Sequence, residues 1–136
     1  MSSNFIPSKP PPKVSLPILQ RLIAAYKVWH EYVRNFSVTT RITLGGKIDV
    51  LFLEIIEFLC EAQYLAGREK LVNLHRATVK LDALKLFLQI AWELKCLDDK
   101  KFVTLSEQLF EMGRQLGGWT RQIESQIQKP NLKQVR

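Results

Sequence analysis

Apolar residues recur at alternating steps of three and four residues along most of this chain, which is the spacing of amphipathic helices. The pattern predicts four helices, over residues 17–36, from 40 or 43 to 66, over 69–97 and over 101–128. Pro17 suits the first turn of the first helix, where its missing N–H costs nothing. Four long helices with short connections predict an all-α protein folded as an antiparallel up-down four-helix bundle.

The two ends of the chain differ in composition from the helical middle. Residues 1–16 contain the run Pro10-Pro11-Pro12, which favours a flexible, Pro-rich N-terminal arm. Residues 17–128 form the predicted four-helix bundle domain, and residues 129–136 form a basic C-terminal tail. The sequence contains neither the pattern of a secretory signal nor an apolar run long enough to span a membrane, so a cytoplasmic protein without membrane contact is expected.

The third predicted helix is apolar on two opposite sides. One stripe, sufficient for a bundle core, contains Leu74, Ala77, Leu81, Leu84, Leu88 and Ala91. At about 100° per residue, a second stripe lies roughly 180° from the first. Its members are Val72, Val79, Ala83, Leu86, Phe87, Ile90, Leu94 and Leu97. The second predicted helix adds a weaker outer stripe of Leu53, Cys60 and Tyr64.

A second apolar stripe of this size needs to be buried, because large exposed apolar patches are rare on monomeric proteins. One interpretation is a homo-oligomer, a dimer or a closed ring, in which the second and third helices supply the interface. The predicted interface residues are Val79, Leu86, Phe87, Ile90, Leu94, Leu53 and Tyr64. The alternative is that the third helix lies centrally and is covered on both sides within one subunit.

The residues that carry chemistry in other proteins form no pattern typical of an active site here. His30 and His75 have no other ligand types at suitable spacing, and Cys60 and Cys96 lack the spacing of a zinc site. Three carboxylates share one side of the second helix without any Glu-x-x-His partner: Glu54, Glu57 and Glu61. Phosphate-binding loops and hydrolase motifs are absent from the sequence. The expectation is a protein that is not an enzyme, with no catalytic residue, cofactor, metal or small-molecule substrate.

The charge of the chain lies largely at its ends. The formal net charge is +7, from 20 basic and 13 acidic residues. Five basic residues lie outside the predicted bundle: Lys9, Lys13, Lys129, Lys133 and Arg136. The bundle itself therefore carries 15 basic against 13 acidic residues. A polyanion-binding surface must then come from the placement of basic residues and not from bulk charge.

Lys85 is the basic residue with the most unusual position. It falls between the two apolar stripes of the third helix, while Arg114 and Arg121, seven residues apart, share one outward face of the fourth. In a ring of subunits, such cations would recur around a common axis or surface and attract a phosphate backbone. Alternatively, Asp82 neutralises Lys85 as an ordinary helical pair.

Three segments carry a further pattern: residues 43–48 (TLGGKI), residues 81–85 with 94–95 (LDALK and LK), and residues 113–119 (GRQLGGW). They resemble the bacterial four-helix-bundle superfamily, which has two branches: ribosomal-RNA intervening-sequence proteins, and Avd, the accessory variability determinant of diversity-generating retroelements. The resemblance covers about residues 17–125, and the Gly-Arg-x-Leu-Gly-x-Trp run is its most specific part. Residues 59–67 (LCEAQYLAG) depart from the Ser-Ile-x-x-Asn-Ile-Ala-Glu-Gly-like segment of intervening-sequence proteins, which favours the Avd branch.

The resemblance to Avd implies a basic, barrel-shaped homopentamer that binds nucleic acid and a reverse transcriptase, and so supports mutagenic copying of template RNA into cDNA. By matching positions, it implies a basic contact set of Lys85, Arg114, Arg76 and Lys80, to which Arg121 is added by its place on the fourth helix. Gln89 stands where Avd-like chains can carry a second arginine, which implies a weaker or differently centred site. The alternative is a protein-interaction scaffold of the intervening-sequence branch, which binds through apolar faces.

Overall fold

The computed structural model describes residues 16–128 and is helical over that range, with no strand. Its four long helices are α1 (Pro17–Val33), α2 (Gly46–Ala62), α3 (Gly67–Glu93) and α4 (Asp99–Gln128). A helical turn, Val38–Thr40, and a π-helical segment, Arg41–Gly45, lead into α2. The predicted arm, apart from Leu16, and the predicted tail 129–136 lie outside the described residues. No helix within 16–128 is long and apolar enough to cross a membrane.

One hydrophobic core joins all four helices. Helix α2 packs against α3, α3 packs against α4, and α1 packs against both α2 and α4. The first apolar stripe of α3 is wholly buried, from Leu74 to Ala91. Burying one leucine side chain contributes about 1.5–3 kcal/mol, so this shared core is the main source of stability. The structure is therefore a helical bundle of four helices, as the spacing of apolar residues predicts.

Aromatic residues fix α1 against the start of α2. The ring of Trp29 meets Phe36 edge-on, with centroids 5.5 Å apart, and lies 6.3 Å from the ring of Phe52. The Tyr26 hydroxyl donates a hydrogen bond of 2.9 Å to the Asp49 carboxylate. Burial of the phenol, together with this hydrogen bond and the negative charge of Asp49, raises the pKa of Tyr26 above its ordinary value of 10.0.

The helix ends differ from the sequence prediction at the end of α1, which is Val33 and not residue 36, and at the two connections that flank α3. Helix α2 ends at Ala62, and Gly67 stands at the beginning of α3 with φ +58, a conformation that glycine adopts readily. Helix α3 ends at Glu93, where Lys95 has φ 65 and the Cys96 amide donates to the Ala91 carbonyl at 2.8 Å.

This reversal of the chain after α3 changes the place of Leu97. A helix continued through residue 97 puts that leucine on the outer stripe, but the turn at Lys95 directs it into the core instead. Leu97 is 1% exposed. Its assignment to the outer stripe is therefore wrong, because the helix ends four residues earlier than the apolar spacing suggests.

The π-helical segment lies close to the end of α1. A side chain at Gly45 would place its Cβ 2.9 Å from the Val33 Cγ2 atom, which is closer than real Cβ contacts allow. Glycine at this position therefore lets the backbone of residue 45 lie against the Val33 side chain. The Ser37 hydroxyl accepts the Thr40 amide at 3.4 Å, which begins the helical turn before the π-helical segment.

Candidate nucleic-acid interface

A groove between α3 and α4 contains two of the predicted basic residues, and we call it the basic groove. Its volume is about 240 Å³. It is lined by Thr78, Leu81, Asp82, Lys85, Phe110, Gly113, Arg114, Leu116 and Gly117. Helix α3 supplies the first four of these residues and α4 supplies the rest. The packing of α3 on α4 thus brings Lys85 and Arg114 to one site from segments that are distant in sequence.

Lys85 is half-buried in the basic groove and has no acidic partner within residues 16–128. Its ammonium nitrogen lies 3.1 Å from the position that a Cβ would take on Gly113, and 5.9 Å from the centroid of the Phe110 ring. Asp82 lines the same groove but forms no ion pair with Lys85 within 4.0 Å. One turn further along α3, the Gln89 amide donates to the Glu93 carboxylate at 3.0 Å.

Arg114 and Arg121 extend the positive charge along α4. The Arg114 guanidinium pairs with Glu111 at 3.1 Å on the surface, where the Arg114 side chain is 69% exposed. The Arg121 guanidinium lies 3.3 Å from the position that a Cβ would take on Gly117, a residue of the groove. Lys85, Arg114 and Arg121 therefore follow one side of the α3–α4 pair.

Arg76 and Lys80 lie on the opposite flank of α3, away from the basic groove. They line a second, mostly apolar groove of about 490 Å³ between α2 and α3. The Lys80 ammonium is 3.3 Å from a Glu54 carboxylate oxygen, so its charge is balanced within the chain. The five basic residues singled out in the sequence are therefore divided between two sites.

The second apolar stripe of α3 is exposed along most of its length. Val79 is 65% exposed, Leu86 is 54% exposed and Leu94 is 63% exposed, while Phe87 and Ile90 are half-buried. On α2 and just after it, further apolar side chains are exposed: Val50, Leu53 and Tyr64. We call these exposed residues of α2 and α3 the outer apolar face. The interpretation in which α3 is covered on both sides by its own chain does not fit residues 16–128.

The acidic residues of α2 act as partners of neighbouring side chains. Glu54 pairs with Lys80, and a Glu61 carboxylate oxygen accepts the Asn73 side-chain amide at 3.1 Å. The same Asn73 amide donates to the Phe58 carbonyl at 3.2 Å, which ties α3 to the last turn of α2. Nowhere within residues 16–128 do three His, Cys, Asp or Glu side chains group closely enough to hold a metal ion. Cys60 and Cys96 are free thiols.

Two exposed residues of these surfaces were missed by reasoning from the sequence. Phe110 comes directly after Leu109, a member of the core stripe of α4, and therefore lies outside that stripe. This position in the sequence indicates that the core of the bundle does not need the Phe110 ring. Val50 likewise lies off the buried stripe of α2 and belongs to the outer apolar face. An apolar residue out of phase with its own helix is therefore the sign by which both residues can be found.

No protein-family model matches this chain, and a comparison with curated proteins finds no significant match. The structure itself defines a class, a helical bundle of four helices with a basic groove on one side of α3 and an outer apolar face beside it. Assignment to a family therefore rests on the sequence segments that resemble Avd.

Proposed function

We propose that this chain is a non-enzymatic accessory subunit of a diversity-generating retroelement, similar to Avd. In this proposal it binds template RNA or cDNA in the cytoplasm, contacts the reverse transcriptase and supports mutagenic retrohoming. The observation that carries the proposal is Lys85, a half-buried cation that forms no ion pair within residues 16–128 and that shares a groove with Arg114 and Asp82.

Desolvation explains why an anion suits this groove. A half-buried ammonium loses part of its hydration, and a carboxylate or phosphate placed beside it offsets that cost. Arg114 is held to Glu111 only by a surface ion pair, which contributes about 0–1 kcal/mol and is easily exchanged for a phosphate. Contacts of this kind read the phosphate backbone, so binding should tolerate many sequences and weaken steeply with added salt.

The outer apolar face supports the assembly part of the proposal. The short connections between helices favour an antiparallel up-down arrangement, in which α2 and α3 form one side of the bundle. Leu86 points about 100° around α3 from Lys85, so the outer apolar face begins about a quarter of a turn from the basic groove. Copies that join through this face, as a homopentamer or another closed ring, would bring several basic grooves together.

Charge reversal in the basic groove tests the nucleic-acid part. The double variant Lys85→Glu with Arg114→Glu should lower affinity for RNA and DNA by about tenfold or more at low salt, because two phosphate contacts become repulsive. Fluorescence anisotropy with labelled oligonucleotides over a salt series measures this change. Copying of template RNA by the reverse transcriptase in the presence of each variant tests the accessory role.

Lys27 of α1 and Arg34, the residue after its end, offer a matched control for this experiment. Arg34 pairs with Glu31 three residues away at 3.3 Å and its side chain is 68% exposed, which closely reproduces the setting of Arg114. The variant Lys27→Glu with Arg34→Glu therefore changes the net charge by the same amount outside the basic groove. A nucleic-acid-binding site at Lys85 would be ruled out if both double variants lost the same amount of affinity for RNA and DNA. It would also be ruled out if the unmodified protein bound neither.

The outer apolar face also favours a second function, a protein-interaction scaffold of the intervening-sequence branch. In that case the partner is bound by apolar side chains such as Val79 and Leu86, and the cations have no role in binding. The genomic neighbourhood separates the two functions. A reverse-transcriptase gene with a template repeat nearby supports the first function, and insertion within ribosomal RNA supports the second.

A further inference from the structure

We propose that the basic groove takes a single strand of nucleic acid, with one unpaired base stacked on the Phe110 ring and the adjoining phosphate held between Lys85 and Arg114. This inference rests on the proposed nucleic-acid binding and adds the chemical class of the ligand. Three observations carry it: the exposure of Phe110, its position beside Lys85, and the small volume of a groove that Arg114 also lines.

Phe110 is placed as a stacking residue and not as a core residue. It is 65% exposed, whereas the other phenylalanines within residues 16–128 are buried or half-buried. None of the aromatic ring pairs in that range includes it. The Lys85 ammonium lies 5.9 Å from its centroid, within the range of a cation–π interaction. The ring is thus held near a cation and leaves most of its surface open to a ligand.

Two glycines that line the groove let cations lie close to the backbone of α4. A Cβ on Gly113 would be 3.1 Å from the Lys85 ammonium, and a Cβ on Gly117 would be 3.3 Å from the Arg121 guanidinium. The volume of about 240 Å³ is below the roughly 300–1,000 Å³ of pockets that enclose a drug-sized ligand. A site of this size fits one base or one phosphate of a longer chain better than a free nucleotide that it would have to enclose.

The combination of an exposed ring with cations favours a single strand over a duplex. In a duplex every base is already paired and stacked, so a base reaches a protein ring only after it has been unstacked. Base–aromatic stacking in single-strand-binding proteins is sequence-tolerant and changes affinity by roughly 5- to 150-fold per base. The cations act on either form through the phosphates, whereas Phe110 acts on the single strand alone.

The test compares binding of one RNA sequence as a single strand and as a duplex. Phe110→Leu keeps an apolar side chain but removes the ring, and Phe110→Trp keeps a ring. By fluorescence anisotropy at constant salt, Phe110→Leu should bind the single strand about 5- to 150-fold more weakly and the duplex within about twofold of the unmodified protein. Phe110→Trp should retain single-strand affinity. Val103→Ala, an exposed site of α4 outside the groove, serves as the control.

The outcomes distinguish this inference from the proposed function. If Phe110→Leu weakens single strand and duplex equally, or weakens neither, stacking is overturned, while loss of affinity in Lys85→Glu with Arg114→Glu still supports nucleic-acid binding. If the unmodified protein binds neither form, the proposed function fails as well. If Phe110→Leu lowers the sedimentation coefficient and leaves single-strand affinity unchanged, Phe110 contacts a second copy of the chain and the inference is overturned.

Discussion

The ammonium of Lys85 lies 3.1 Å from the point where the side chain of any residue other than glycine at position 113 would begin. A methyl group added there makes a contact tighter than most real Cβ contacts, so the lysine nitrogen has to give way by a few tenths of an ångström. The end of a lysine side chain moves at little cost, because it is flexible. Gly113 thus sets the position of the cation without being essential for packing.

Gly113→Ala should therefore separate stability from binding. We expect the free energy of unfolding to rise by about 0.5–1 kcal/mol, because alanine is a better residue for a helix interior than glycine. Affinity for nucleic acid should fall at the same time, since the alanine methyl displaces the Lys85 ammonium. Urea denaturation and anisotropy titration measure the two effects.

Gly118→Ala is the control for this change, because no atom lies within 4 Å of its added Cβ. It should give a similar gain in stability and leave affinity unchanged. If both alanine variants lose affinity alike, the position of Lys85 is not what Gly113 determines.

Charge on the outer apolar face should prevent assembly without unfolding the subunit. Val79 and Leu86 are more than half exposed in the single chain, so replacing either with glutamate leaves the core intact. If copies join through this face, Val79→Glu or Leu86→Glu buries an unpaired charge in the interface and shifts the protein towards a 15.8 kDa monomer. Sedimentation velocity measures the shift, and circular dichroism checks that helix content is retained.

Val103→Glu on α4 introduces the same charge at an exposed valine outside the outer apolar face. The assembly should survive this substitution. An unmodified protein that sediments as a monomer at micromolar concentration would exclude the interface altogether.

Lys80 and Lys85 should differ in how much they contribute to phosphate binding. Lys80 is paired with Glu54, whereas Lys85 has no ion pair within residues 16–128. Lys85→Gln should therefore reduce the slope of log affinity against log salt by about one, and Lys80→Gln by clearly less. Glu54→Gln releases Lys80 and should increase the slope, whereas Glu57→Gln, an exposed site of α2, should change it little. Equal slopes for Lys80→Gln and Lys85→Gln would contradict this difference.

Tyr26 should make stability depend on pH in the alkaline range. Burial and the Asp49 carboxylate raise the pKa of this phenol in the folded protein above its ordinary value of 10.0. The folded state therefore holds its proton more tightly than the unfolded state. The resulting stabilisation is fully present below about pH 10 and is lost as the pH rises through the folded-state pKa of Tyr26.

Tyr26→Phe should remove this part of the pH dependence and cost about 0.5–1.5 kcal/mol at neutral pH through the lost hydrogen bond. Urea denaturation at about pH 8 and at about pH 10.5 tests it. Tyr64→Phe, at an exposed position after α2, is the control. A Tyr26→Phe variant that loses as much stability between the two pH values as the unmodified protein would contradict this role.

The core was predictable from the sequence because its residues obey one period over many turns. Every member of the first stripe of α3, from Leu74 to Ala91, is buried as the period of the helix requires. Helix ends obey local rules that the period does not contain. The turn at Lys95 ended α3 four residues early, and this turn, not the apolar spacing, decided the position of Leu97.

The basic groove was less predictable, because it depends on two helices at once. The period of α3 places Lys80 about 140° from Lys85, so the separation of these two cations was available from the sequence. The absence of an ion pair between Asp82 and Lys85 was not available from the sequence, because a spacing of three residues permits such a pair. The direction of the Lys85 side chain follows from the space above Gly113, and only the packing of α4 creates that space.

The π-helical segment Arg41–Gly45 has a consequence for deletions at this end of the bundle. Its turns are wider than those of an α-helix, so residues before it are rotated relative to α2. Removing one residue from this segment would restore the narrower winding and turn the exposed side chains of Val38 and Ile42 by about 100°. Deletion of a single residue would then expose a different set of side chains at this end of the bundle, while the packing of α2 stayed the same.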